Sequence, residues 1–232
     1  MKIKQGTSEC MQTSAAQLIS FFDSNITVDE ILQNVPVYVE NGEKIGTAPG
    51  HLGAYLLSKG YKVTFYIFDV ELFDPTWASL SPQEVLEALR ARQAYIPENS
   101  WLAKYHHILI DGWKQYVEAG GEFSFEPLSV QLLYRLLAVA PFMLQVNSNY
   151  LNRQAKWVYD KKLDKFNPDP IKGRTLTHAI TCTGYQDGKF LIVDPEPPID
   201  VSQERWIDED HLIASIMSAQ TESDNLLISI TK

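Results

Sequence analysis

Residues 177–198 read THAITCTGYQDGKFLIVDPEPP. Two runs rich in β-branched and aromatic residues, His178–Thr183 and Lys189–Asp194, flank Tyr-Gln-Asp-Gly, and Asp-Pro closes the second run. This is the pattern of a β-hairpin, with turn chemistry between two alternating arms. It constrains the chain because one arm begins at a histidine and the other ends at an aspartate. The two are equidistant from Gln186, so a hairpin centred there sets His178 opposite Asp194. A different turn type shifts the pairing by about two residues and leaves them diagonal neighbours, ~7–8 Å apart. A carboxylate beside an imidazole fixes its tautomer and supports the imidazolium.

The N-terminal stretch KIKQGTSECMQTSAAQLISFFDSN supplies the complement. Met11, Ala15, Leu18, Ile19 and Phe22 recur on one helical face, predicting a helix from Cys10 to Phe22. Thr7 and Ser8 are N-cap candidates, which puts Cys10 in the first turn. Unpaired N–H groups and the positive end of the helix dipole there stabilise a thiolate. No base lies nearby in sequence, so the partner must come from elsewhere in the fold, and His178 is the candidate. Cys182 is four residues past His178, ~13 Å along the strand, too far for a thiol–imidazole bond. It reads as a buried strand residue. Gln5 offers a side-chain amide which, with the Cys10 backbone N–H, would complete an oxyanion-stabilising pair.

Further helices are expected from Thr27 (capped against Glu30) to Pro36, over Pro49–Ser58, from Ser81 to Tyr95, over Trp101–Ala119, Val130–Ala140 and Glu209–Ala219. Strands are expected at Tyr61–Phe68, Phe142–Val146 and Leu226–Thr231. Asn147–Leu176 is polar, turn-rich and without clear periodicity. Helices dominate the first half and an antiparallel sheet the second, which predicts one α+β domain over 1–232.

Net charge is −9, which opposes a phosphate-tracking surface and argues against nucleic-acid binding. There are two cysteines and no apolar leader, so the chain reads as a protein of a reducing, cytoplasmic compartment without a signal peptide. The apolar run Leu136–Leu144 is broken by Pro141 and too short to span a membrane. No metal, nucleotide or other cofactor is implied. The pair His106-His107 lacks partners at ligand spacing and reads as a solvated helix face. His51 reads as structural. Between 153 and 174 lie Arg153, Lys156, Lys161, Lys162, Lys165, Lys172 and Arg174 against Asp160, Asp164 and Asp169, a net +4 in an acidic chain. The stretch is a solvated loop or a flap that meets an acidic substrate or partner.

Gln5, Cys10 and the HAITCTGYQDGKFLIVDP hairpin resemble the bacteriocin-processing (double-glycine) peptidase-like family of papain-fold cysteine peptidases, which includes stand-alone members without a transporter. The resemblance covers residues 5–22 and 176–196. It implies a papain-like fold, a helix-borne Cys packed on an antiparallel sheet bearing His and Asp. It implies a peptide or protein substrate cleaved through a thioester acyl-enzyme. Cys10 would be nucleophile, His178 general base and acid, Asp194 its orienting partner and Gln5 the oxyanion donor. Two departures stand out: Met11 occupies a position where the family commonly has glycine, and the Gln–Cys interval is one residue shorter. Alternative readings are a catalytically inactive binding module and an acyltransferase on the same scaffold.

Overall fold

The structure, a computed structural model, describes residues 9–23, 25–40, 43–160, 165–219 and 225–232. The helix α1 (Cys10–Ile19) and α2 (Val28–Asn34) lead into strands β1 (Tyr38–Glu40) and β2 (Glu43–Gly46). Then come α3 (Pro49–Ser58), β3 (Lys62–Ile67), α4 (Pro82–Arg92), α5 (Trp101–Glu118) and β4 (Glu122–Ser124). The second half runs α6 (Val130–Leu137), β5 (Phe142–Asn147), α7 (Ser148–Asn152), β6 (Trp157–Asp160) and β7 (Lys165–Pro168). It closes with β8 (Thr177–Gln186), β9 (Lys189–Val193), β10 (Glu204–Asp208), α8 (Glu209–Met217) and β11 (Leu226–Thr231).

Seven strands form one sheet in the order β10-β9-β8-β5-β11-β3-β4, antiparallel except for the β3–β4 pair. Alternate residues feed two cores. Met143, Ala179 and Ile228 join Leu18 of α1, Leu52 of α3 and Trp113 of α5 on one face. Leu144, Ile180 and Ile192 join Leu133 of α6 and Leu212 of α8 on the other. A sheet covered on both faces needs no polar alternation, so β5 is buried along its whole length.

The expected α+β class holds, with boundaries moved. The first helix ends at Ile19 rather than Phe22, and Phe21 is exposed. The sheet draws β3 and β4 from the first half, so helix and strand are less segregated than the sequence suggests. The stretch expected to lack regular structure contains α7 and the β6–β7 pair. Among the described residues no helix is long and apolar enough to cross a membrane.

The hairpin turns on Asp187-Gly188, both with positive φ (49° and 74°), between Gln186 and Lys189. That is the backbone of a two-residue primed turn, for which Asp-Gly is well suited. The turn is therefore not centred on Gln186. A bulge between Cys182 and Gly184 then resets the pairing to Thr181 opposite Val193. One step further Asp194 falls level with Ile180, so His178 and Asp194 are diagonal rather than directly opposed.

Candidate active site

α1 lies against β8 and is nearly engulfed: Met11 to Ile19 are all buried, including Gln12, Thr13, Ser14 and Gln17. Polar residues inside a core need partners, and Ser14 finds its own on β8. Ser14 Oγ donates to the Ala179 carbonyl at 2.9 Å, and Thr181 Oγ1 donates to the Ser14 carbonyl at 3.0 Å. The Gln12 amide donates to Thr47 Oγ1 at 2.7 Å. The bonds of Ser14 to Ala179 and of Thr181 to Ser14 tie α1 to β8 and set Cys10 against His178.

Cys10 opens the helix and is partly exposed. The first ladder bond runs from Thr13 N–H to the Glu9 carbonyl, 3.0 Å, leaving the earlier N–H groups outside the ladder. His178 is 7% exposed and sits at the start of β8. Its Nε2 lies 2.7 Å from Asp194 Oδ1, and the imidazole also hydrogen-bonds with the Cys10 thiol. With Nε2 engaged by Asp194, Nδ1 is the nitrogen left to face sulfur.

Burial alone would push the Cys10 thiol up. The hydrogen bond and charge of His178, with the Ala179 backbone, outweigh it and hold the thiol below its ordinary value. The negative charge of the Glu196 carboxylate opposes this. For His178, burial favours the neutral ring, but Asp194 and the thiolate overcome it and raise its pKa to about 10. Asp194 is fully buried, yet His178 and Arg205 keep its carboxyl below the usual carboxylate range against that desolvation. All three directions favour a thiolate–imidazolium pair.

Arg205 is the residue that sequence reasoning missed. Its Nη2 donates to Asp194 Oδ2 at 2.8 Å and to Asn152 Oδ1 at 2.8 Å, and Nη1 donates to the Ser202 carbonyl at 3.1 Å. Glu196 N–H adds a bond to Asp194 Oδ1 at 2.9 Å. Each Asp194 oxygen is thus occupied, and charge alternates along Cys10, His178, Asp194 and Arg205. Arg205 pairs with Ile192 on β9, diagonal to Asp194. An inward arginine on an edge strand was the available signal, but nothing in the sequence set its register.

Gln5, and the cap candidates Thr7 and Ser8, lie outside the described residues. The observed N-cap is Glu9, without a side-chain cap bond. Met11 is 6% exposed and packs in the α1 core, against which Cys10 also lies. Cys182 is buried in the opposite core, and burial pushes its thiol up. His106 corrects an expectation: it is fully buried, and desolvation lowers its pKa, while only His107 is exposed. Of the pair only His107 meets solvent, because α4 packs against α5 and Leu89 meets His106. His51 is buried and bonded to Tyr38 Oη at 2.7 Å.

No family model matches the chain, and no curated protein matches it. Among solved structures, it is similar to one from Bacillus anthracis that is provisionally described as a C39-like peptidase. Identity is 11% and the TM-score 0.46, over 100% of this chain and 92% of that one.

Proposed function

We propose that the protein is a cysteine peptidase that hydrolyses a peptide or other amide bond through a papain-like Cys10–His178–Asp194 arrangement. The observation that carries this reading is the buried His178 imidazole, 2.7 Å from Asp194 and hydrogen-bonded to the helix-terminal Cys10 thiol. The resemblance of residues 5–22 and 176–196 to the bacteriocin-processing peptidase-like family supports it. The Cys10 thiolate attacks the scissile carbonyl carbon. The oxyanion that forms is met by the Cys10 backbone N–H and by the Gln5 amide. His178, as imidazolium, protonates the departing amine as the C–N bond breaks, leaving a thioester on Cys10. Neutral His178 then takes a proton from water, whose oxygen attacks the thioester and releases the acid and the thiol. Asp194 holds the ring and stabilises its charge throughout.

The acyl-enzyme is the distinguishing intermediate. Incubation with a peptide p-nitrophenyl ester should give a burst of product and a hydroxylamine-sensitive mass adduct confined to Cys10. A protein that forms no such adduct, with Cys10 reduced, is not a cysteine peptidase. The partial exposure of Cys10 favours activity over a silent binding module, because it leaves the thiol approachable.

A further inference from the structure

Arg153, the first cation of the basic stretch, is not used by the chemistry above. It lines an open cavity of about 490 Å³, within the size range of ligand pockets. Asn147 and Asn149 form its floor, Tyr150 and His211 one wall, and Arg153, Gln154 and Thr175 its rim. The floor is rigid, because its amides are already engaged. Asn147 Nδ2 donates to the Ser218 carbonyl at 3.0 Å, and Asn149 Nδ2 donates to the Ala155 carbonyl at 2.6 Å. Asn149 Oδ1 accepts from Leu176 N–H at 3.1 Å. The wall is fixed as well: the Tyr150 and His211 rings stack with centroids 5.5 Å apart, and His211 Nε2 donates to the Leu151 carbonyl at 3.0 Å.

The rim is where a ligand would be met. Arg153 caps the C-terminus of α7 with φ 51° and ψ 43°, the left-handed region. Glycine is the favoured residue at such a cap, and a side chain there is strained. Arg153 N–H and Gln154 N–H donate back to Tyr150 and Asn149 carbonyls, so the backbone geometry is enforced. A long cation at a position suited to glycine indicates that its side chain is used. Among the described residues no carboxylate pairs with Arg153.

The cavity also adjoins the catalytic edge. Thr175 precedes His178 by three residues, roughly 10 Å of extended chain. Asn152, beside Arg153, takes a hydrogen bond from Arg205, which holds Asp194. A peptide bound at Cys10 and extending past His178 can therefore place a side chain here.

We infer that this cavity is a specificity subsite that binds an aspartate or glutamate side chain of the peptide through Arg153. The inference rests on the peptidase reading and names its substrate class. A guanidinium offers a planar fork matched to a carboxylate, and Gln154 and Thr175 add uncharged donors beside it.

The test uses ¹⁵N-labelled Cys10→Ala protein, which binds without turnover. Three heptapeptides of alanine and glycine are titrated: one with a central glutamate, one with a central glutamine, and one whose sole carboxylate is its free C-terminus. The glutamate peptide should shift the amides of Arg153, Gln154 and Thr175 and bind roughly tenfold more tightly than the glutamine peptide. Arg153→Gly suits the backbone better, so its melting temperature should be unchanged or higher, while the preference for glutamate disappears. Equal binding of the glutamate and glutamine peptides overturns the inference, as do preference for the free C-terminus, shifts elsewhere, or no shifts at millimolar peptide. If wild type still forms the Cys10 thioester, only the subsite falls. If glutamate binding holds without any thioester, only the peptidase reading falls.

Discussion

Arg205→Ala tests whether Asp194 is held by a buried ion pair or merely touched by a surface charge. Asp194 is 0% exposed and the Arg205 side chain 15%, with Nη2–Oδ2 at 2.8 Å. Opposite charges about 4 Å apart interact by about 4 kcal/mol at an effective dielectric near 20. Removing one partner of a buried pair leaves the other uncompensated and costs about 3–5 kcal/mol. His178 and Glu196 N–H remain on Asp194, so the lower end, about 3 kcal/mol, is expected here. In a chain of this size that lowers the melting temperature by roughly 6–12 °C. The pH dependence has a definite sign. The folded pKa of Asp194 is depressed, so its contribution is present above about 3.9 and lost as pH falls through the folded value. Without Arg205 the folded pKa moves up, and acid unfolding begins at higher pH. Urea melts of wild type, Arg205→Ala and Arg205→Lys across pH 3–7 read both effects, and lysine should restore part of the loss. A loss below about 1 kcal/mol with an unmoved acid limb would place the pair in the solvent-screened class and refute the reasoning.

Asp194→Asn keeps the shape but reverses which ring tautomer is favoured, so kcat should fall by about 10²–10⁴, with thioester formation as the readout. The pH profile of kcat/KM should be a bell. Its acid limb reflects a thiol held below its ordinary value, and its alkaline limb reflects loss of the imidazolium toward pH 10. Gly50→Ala should destabilise by about 3 kcal/mol or more while sparing activity per folded molecule. A Cβ there would meet the Gly112 carbonyl carbon at 2.3 Å, where α3 crosses α5, and backbone cannot step aside as a side chain can.

Much of this was legible in the sequence because it was local. Helix periodicity placed Cys10 at the start of α1, and Asp-Gly between alternating arms located the hairpin that carries His178 and Asp194. The diagonal alternative for that pair was visible too, but the bulge at Cys182–Gly184 that selects it was not, since a bulge depends on the partner strand. Arg205 escaped for a similar reason: which face of an edge strand an arginine occupies is set by register, not by residue type. The burial of the polar residues of α1 was hidden because Gln12, Thr13, Ser14 and Gln17 resemble a solvent face until the fold covers them. His106 misled in the same way, as a polar residue whose burial is decided by a neighbouring helix.

The central claim is that Cys10 and His178 form an ion pair. The direct measurement is the rate of Cys10 alkylation by iodoacetamide against pH, in Cys182→Ser and Cys182→Ser/His178→Ala proteins. The first should react with an apparent pKa well below the free-thiol value of about 8.5, and the second should lose that shift. An ordinary thiol titration in the first protein, unchanged when His178 is removed, would contradict the account.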